Sequence, residues 1–118
     1  MKNLNELDLS KSNGYLLFPT IDLKNNIFNF NWENGEYTDI LYQTKGLEKY
    51  GNLFTWINND FSECNLNLLI KNIDLFNKSK PKNLTLIKYN NLLNFCKDVK
   101  KCALFAKSEK LDFIFNPN

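Results

Sequence analysis

Residues 27 to 32 read Ile-Phe-Asn-Phe-Asn-Trp, an alternation that puts Phe28, Phe30 and Trp32 on one side of an extended chain and Ile27, Asn29 and Asn31 on the other. A period of two belongs to a half-buried β-strand, because a helix would turn Phe30 away from Phe28 and Trp32. Such a strand needs neighbours in a sheet and a layer over its aromatic face. Asn34-Gly35 follows, and both residues tolerate the positive φ of a type I′ turn, so Tyr37 to Gln43 is expected to return as a hairpin partner. A two-residue loop sets Trp32 against Tyr37 and Phe30 against Asp39, whereas a three-residue loop sets Phe30 against Thr38. Upstream, Tyr15 to Leu23 reads as extended, with Pro19 suiting an edge strand or a bulge because it has no ladder donor. Lys24-Asn25-Asn26 is the turn between the two.

Beyond Gly46 the period becomes helical. Leu47, Tyr50, Phe54, Ile57 and Phe61 form one stripe, weakened by Gly51. Asn65 is a cap for a second helix with Leu66, Leu69, Ile70, Ile73 and Phe76 inward, and Pro81 ends it. Leu84 to Tyr89 reads as a short strand. A third helix is expected from about Asn90 to Lys107, burying Leu92, Phe95, Cys96, Val99, Cys102 and Ala106. Leu111, Phe113 and Phe115 alternate in a last strand. The expected fold is one α+β domain over residues 1–118: an antiparallel sheet from an N-terminal β-meander plus the C-terminal strand, packed on one face by about three helices.

Hydrophobic residues make up 43% of the chain, enough apolar surface for one core. Met1 to Ser12 alternates leucine with polar residues and lacks the apolar stretch of a secretory signal. No apolar run approaches the roughly 18 residues of a membrane span. Three cysteines, an odd number without an export signal, point to reduced thiols and a cytoplasmic location. They form no CxxC knuckle, so neither a metal nor another cofactor is expected. The 21 asparagines, 15 lysines and single valine match the codon palette of an AT-rich genome or mobile element.

The chain has no histidine and no arginine. This removes the usual general base and nucleophile activator, as well as the bidentate phosphate clamp. Neither GxxxxGK[ST] nor GxGxxG occurs. The carboxylates Glu33, Glu36 and Asp39 around the expected hairpin are the remaining acid–base candidates, and as solvated turn residues they are ordinary. Charge is polarised: residues 1–60 carry a net −3 and residues 61–118 a net +5. Polarity of this kind steers association with a charged macromolecule. The expectation is a non-enzymatic inhibitor or immunity protein that neutralises a partner such as a toxin or defence nuclease. Its contact residues would be Trp32, Glu33, Glu36, Tyr37 and Asp39 at the hairpin end, and Lys97, Lys100 and Lys101 on the third helix. A lysine-driven nucleic-acid binder acting through residues 78–110 is the alternative, although the lack of arginine weakens specific duplex reading. A small enzyme using the carboxylate cluster is a further one.

Overall fold

A computed structural model describes residues 4–9, 16–33, 62–63, 65–78 and 80–117. After a 3-10 turn at Leu4–Glu6, the elements are β1 (Leu16–Leu17), β2 (Thr20–Asp22), β3 (Ile27–Glu33), β4 (Ser62–Glu63), α1 (Leu66–Lys78), α2 (Leu86–Ser108) and β5 (Asp112–Pro117). They make an α+β fold. The expected first helix, Leu47 to Phe61, lies outside the described residues, as do the Asn34-Gly35 turn and the return strand Tyr37 to Gln43.

The alternation at 27–32 builds the strand it demands: Phe28, Phe30 and Trp32 are buried, while Ile27, Asn29 and Asn31 are half-buried on the other face. β1 and β2 pair antiparallel with β3 in one unbroken register, Leu17 opposite Trp32 and Thr20 opposite Asn29. They are two halves of a single strand, joined through Phe18, whose N–H donates to the Asn31 carbonyl at 3.0 Å. Because bonding direction alternates along a strand, Pro19 faces the outer edge, where a missing donor removes nothing from the ladder. Proline there also blunts that edge against pairing with another chain. The register has no bulge, and among the described residues this is an edge strand. At the β2–β3 turn Asp22 accepts from the Asn25 backbone N–H at 3.2 Å and from its side-chain amide at 2.8 Å. These bonds hold the Asp22 carboxyl below its ordinary pKa, and Asn26 takes the left-handed φ of 55° that closes the turn.

The sheet departs from the all-antiparallel expectation at its centre. β5 lies parallel to β3, with Phe28 beside Phe113 and Phe30 beside Phe115, and β4 completes the order β1-β3-β5-β4 antiparallel to β5. With β1 and β2 on one side and β5 on the other, β3 has no free edge for a hairpin partner between Ile27 and Trp32. On the β5 side the lateral neighbour of Phe30 is Phe115. Phenylalanines from the two strands form one layer: Phe28 stacks on Phe113 at 5.2 Å, Phe30 meets Phe115 edge-on at 5.4 Å, and Phe113 meets Phe115 edge-on at 5.0 Å.

Helix α2 covers that layer. Phe95 lies 4.9 Å from Trp32 and 5.9 Å from Phe30, and Phe105 lies 5.9 Å from Phe28. Helix α1, capped as expected by the Asn65 side chain on the Leu68 N–H at 3.1 Å, packs along α2 through Leu69, Ile73 and Phe76. The buried Tyr89 hydroxyl donates to the Phe76 carbonyl at 2.7 Å and ties the two helices together. The stretch Leu84 to Tyr89, expected as a strand, instead opens α2. Thr85 caps the helix by accepting from the Lys88 N–H, and Leu84 and Tyr89, both buried, occupy the flanking positions of a hydrophobic staple. The Thr-Leu-Ile run, two of its three residues β-branched, imitates a strand because no Glu or Gln stands at Lys88 to announce the cap. The other end of α2 closes with Leu111 N–H to Ala106 O at 2.8 Å and Lys110 N–H to Lys107 O at 3.2 Å, a Schellman arrangement with Lys110 at φ 56°.

Two stability outcomes follow. Phe113→Ala should cost about 3–5 kcal/mol in urea denaturation, as expected for an aromatic removed from a closed core. Lys110→Gly should raise stability by up to about 1 kcal/mol, because glycine relieves the left-handed strain and returns only part of it as unfolded-state entropy.

Candidate functional site

The expected contact residues do not form one surface. Trp32 is 1% exposed, packed under Phe95, and its Nε1 has no hydrogen-bond partner among the described residues. It is a core residue, and the expectation that it stands exposed at the hairpin end is corrected. The alternation that buries Phe28 and Phe30 buries it too, since it is the third member of the same face. Glu33, one position on, is exposed. Glu36, Tyr37 and Asp39 lie outside the described residues.

The helix lysines divide. Lys100 Nζ bonds Asp74 Oδ1 at 2.6 Å, bridging α2 to α1, and Lys101 Nζ donates to the Asp8 carbonyl, holding the N-terminal segment to α2. Lys80 Nζ donates to the carbonyls of Leu84 at 2.7 Å and Pro81 at 3.2 Å, closing the α1–α2 connection. Each of these cations is engaged within the chain. Lys97 is exposed on α2 and lines none of the described grooves.

Lysines outside the expected contact set come together between the helices, Lys78 and Lys107 from the lysine-rich 78–110 segment and Lys71 from outside it. An open groove of about 450 Å³ runs between α1 and α2, lined by Ile70, Lys71, Asp74, Leu75, Lys78, Leu104 and Lys107 among others. Its floor is apolar. Leu75 is 38% and Leu104 47% exposed, high values for leucines on helices that bury so much elsewhere. Asp74 is the acidic residue of the lining, and Lys100 offsets its charge. Lys71, Lys78 and Lys107 are left as a ring of exposed positive charge around an apolar strip. The sequence signal was present, because Leu75 and Leu104 fall off the buried stripes of their helices; only the pairing of α1 with α2 shows that they face a common groove.

Phe18, at 43%, is the exposed aromatic among the described residues, and it lies across the sheet from the helices. Near it, Asn116 donates its side-chain amide to Asn31 Oδ1 at 2.9 Å and to Asn29 Oδ1 at 3.2 Å, while Asn31 donates to the Phe18 carbonyl at 3.1 Å. These amides satisfy one another.

The thiols of Cys96 and Cys102 are buried in the core, and burial pushes both pKa values up to about 12, helped at Cys102 by the Asp98 carboxylate. Such thiols are packing groups. Among the described residues, no group of three or more His, Cys, Asp or Glu side chains is placed to hold a metal ion, and no helix is long and apolar enough to cross a membrane. In comparisons with known protein families, curated proteins and solved structures, nothing matches this chain.

In a Cys64→Ser background, Cys96 and Cys102 should stay unreactive toward a thiol-exchange reagent at pH 8 and react fully once urea unfolds the chain; rapid native labelling would show an open core. Trp32→Phe should cost under about 1.5 kcal/mol, because the variant loses ring volume but also removes an unpaired N–H, whereas Trp32→Ala should cost about 3–5 kcal/mol.

Proposed function

We propose that this protein is a non-enzymatic binding module of the inhibitor or immunity type, which neutralises an acidic partner protein by covering it. The observation that carries this reading is the α1–α2 groove, where Lys71, Lys78 and Lys107 surround the half-exposed Leu75 and Leu104. An apolar strip inside a rim of one charge sign is the usual anatomy of a protein docking surface: the strip supplies burial, and the rim supplies orientation and rate. A chain without imidazole or guanidinium has few means of acting on a partner other than occupying its surface.

A nucleic-acid reading has less support. Of the lysines between residues 78 and 110, Lys80, Lys100 and Lys101 are taken up by internal contacts. Lys78 and Lys107 border the exposed Leu75 and Leu104, where a phosphate track gains nothing, and the exposed Phe18 lies across the sheet from the helices that carry them. The carboxylate-enzyme reading rests on Glu33, Glu36 and Asp39, and only Glu33 is among the described residues, exposed at the end of β3.

The test is capture from the native host on immobilised protein, beside the Lys71→Glu/Lys78→Glu/Lys107→Glu variant, followed by assay of the captured protein's activity. The proposal expects the wild type to retain a partner that the variant loses, and stoichiometric addition of the wild type to abolish that partner's activity. Retention indifferent to the charge reversal, or activity unchanged by saturating protein, would overturn it.

A further inference from the structure

The shape of the groove narrows what fills it. We infer that the α1–α2 groove receives an acidic amphipathic α-helix of the partner, with apolar side chains on Leu75 and Leu104 and carboxylates on Lys71, Lys78 and Lys107. The inference deepens the proposed function and rests on it.

Lys71 and Lys78 are seven residues apart on α1, so they share a face and are separated by about 10 Å along the axis at 1.5 Å per residue. Leu75 lies between them in sequence, and Leu104 and Lys107, one turn apart on α2, stand across the groove. Two helices side by side present parallel ridges with a trough between, and a third helix seats its own ridge in such a trough. The cations recur at a heptad interval, which matches acidic residues two turns apart on a docked helix and not the period of an extended strand. Charge decides the sign of the occupant. The Asp74 carboxylate is offset by Lys100 at 2.6 Å, so among the described residues the rim is left positive toward the incoming segment. Exposed leucines between the lysines favour a peptide with an apolar stripe over a bare polyanion, whose phosphates would leave Leu75 and Leu104 in water.

The probe is a fluorescein-labelled synthetic helix of about 20 residues, long enough to span the groove, with leucine at heptad a and d positions and glutamate flanking them. Anisotropy is read with the full chain, alongside a sequence-scrambled peptide of the same composition, a single-stranded oligonucleotide and anionic phosphatidylserine vesicles. The inference expects saturable binding that weakens at least about tenfold in Lys71→Glu/Lys107→Glu, weakens similarly in Leu104→Asp, and falls with added salt. Circular dichroism and the melting temperature of each variant confirm that it is folded, and Lys97→Glu, outside the groove, should bind like the wild type. Equal affinity for the scrambled peptide, displacement by the oligonucleotide or vesicles at lower concentration than by unlabelled peptide, or variants that bind unchanged would each overturn it. If the peptide fails while partner capture still depends on Lys71 and Lys107, the helical occupant is wrong and the binding-module reading stands; if both fail, both fall.

Discussion

The fold depends on the lateral contact between β3 and β5. Two segments more than eighty residues apart lie parallel and in register, so that Phe28, Phe30, Phe113 and Phe115 merge into one aromatic sheet face. Edge-on and offset rings at these separations each add about 0.5–1.5 kcal/mol beyond their burial, but the larger effect is topological. A parallel pair cannot be closed by a tight turn, so the chain between the two strands must leave the sheet and return. Among the described residues β4, α1 and α2 lie in that excursion, with α2 over the aromatic layer and α1 beside it.

With α2 held from below by the phenylalanines, its ends become the points where local chemistry matters. Thr85 and the buried Leu84 and Tyr89 set where the helix begins, and the Schellman closure at Lys110 turns the chain directly into β5. The Tyr89 hydroxyl on the Phe76 carbonyl and the Lys100–Asp74 pair then fix α1 against α2. The ion pair is partly solvated and worth at most about 1 kcal/mol, so its larger consequence is electrostatic. It removes the negative charge from a groove whose remaining rim is lysine. The same packing that stabilises the helix pair thereby produces a surface of one sign around an apolar strip.

Several individual elements were legible in the sequence for local reasons. The alternation from Ile27 to Trp32 names a strand and its buried face, Asn65 and the stripe Leu66, Leu69, Ile70, Ile73 and Phe76 name α1, and Phe113 and Phe115 name the last strand. Thr85 looks extended in sequence because it opens a run rich in β-branched residues with no capping-box partner, and only the helix it caps reveals its role. Trp32 poses the opposite problem: nearness to a turn suggests exposure, yet side-chain parity along the strand assigns it to the core, where it is buried. Of the expected helix lysines, Lys100 and Lys101 make internal contacts, while Lys78 and Lys107 fall in the lysine-rich 78–110 segment and Lys71 outside it, each an ordinary solvated charge on its own helix until the helices are paired.

What the amino-acid order determined by itself was periodicity and chemical repertoire: which residues face a core, that strand and helix segments alternate within an α+β domain, and that imidazole and guanidinium chemistry are absent. What only the tertiary structure decided was adjacency. That β3 takes β5 as its parallel neighbour, and that Leu75 on α1 shares a groove with Leu104 and Lys107 on α2, depends on contacts between residues far apart in the chain. Periodicity records which way a side chain points relative to its own element, and it carries no information about which other element stands opposite.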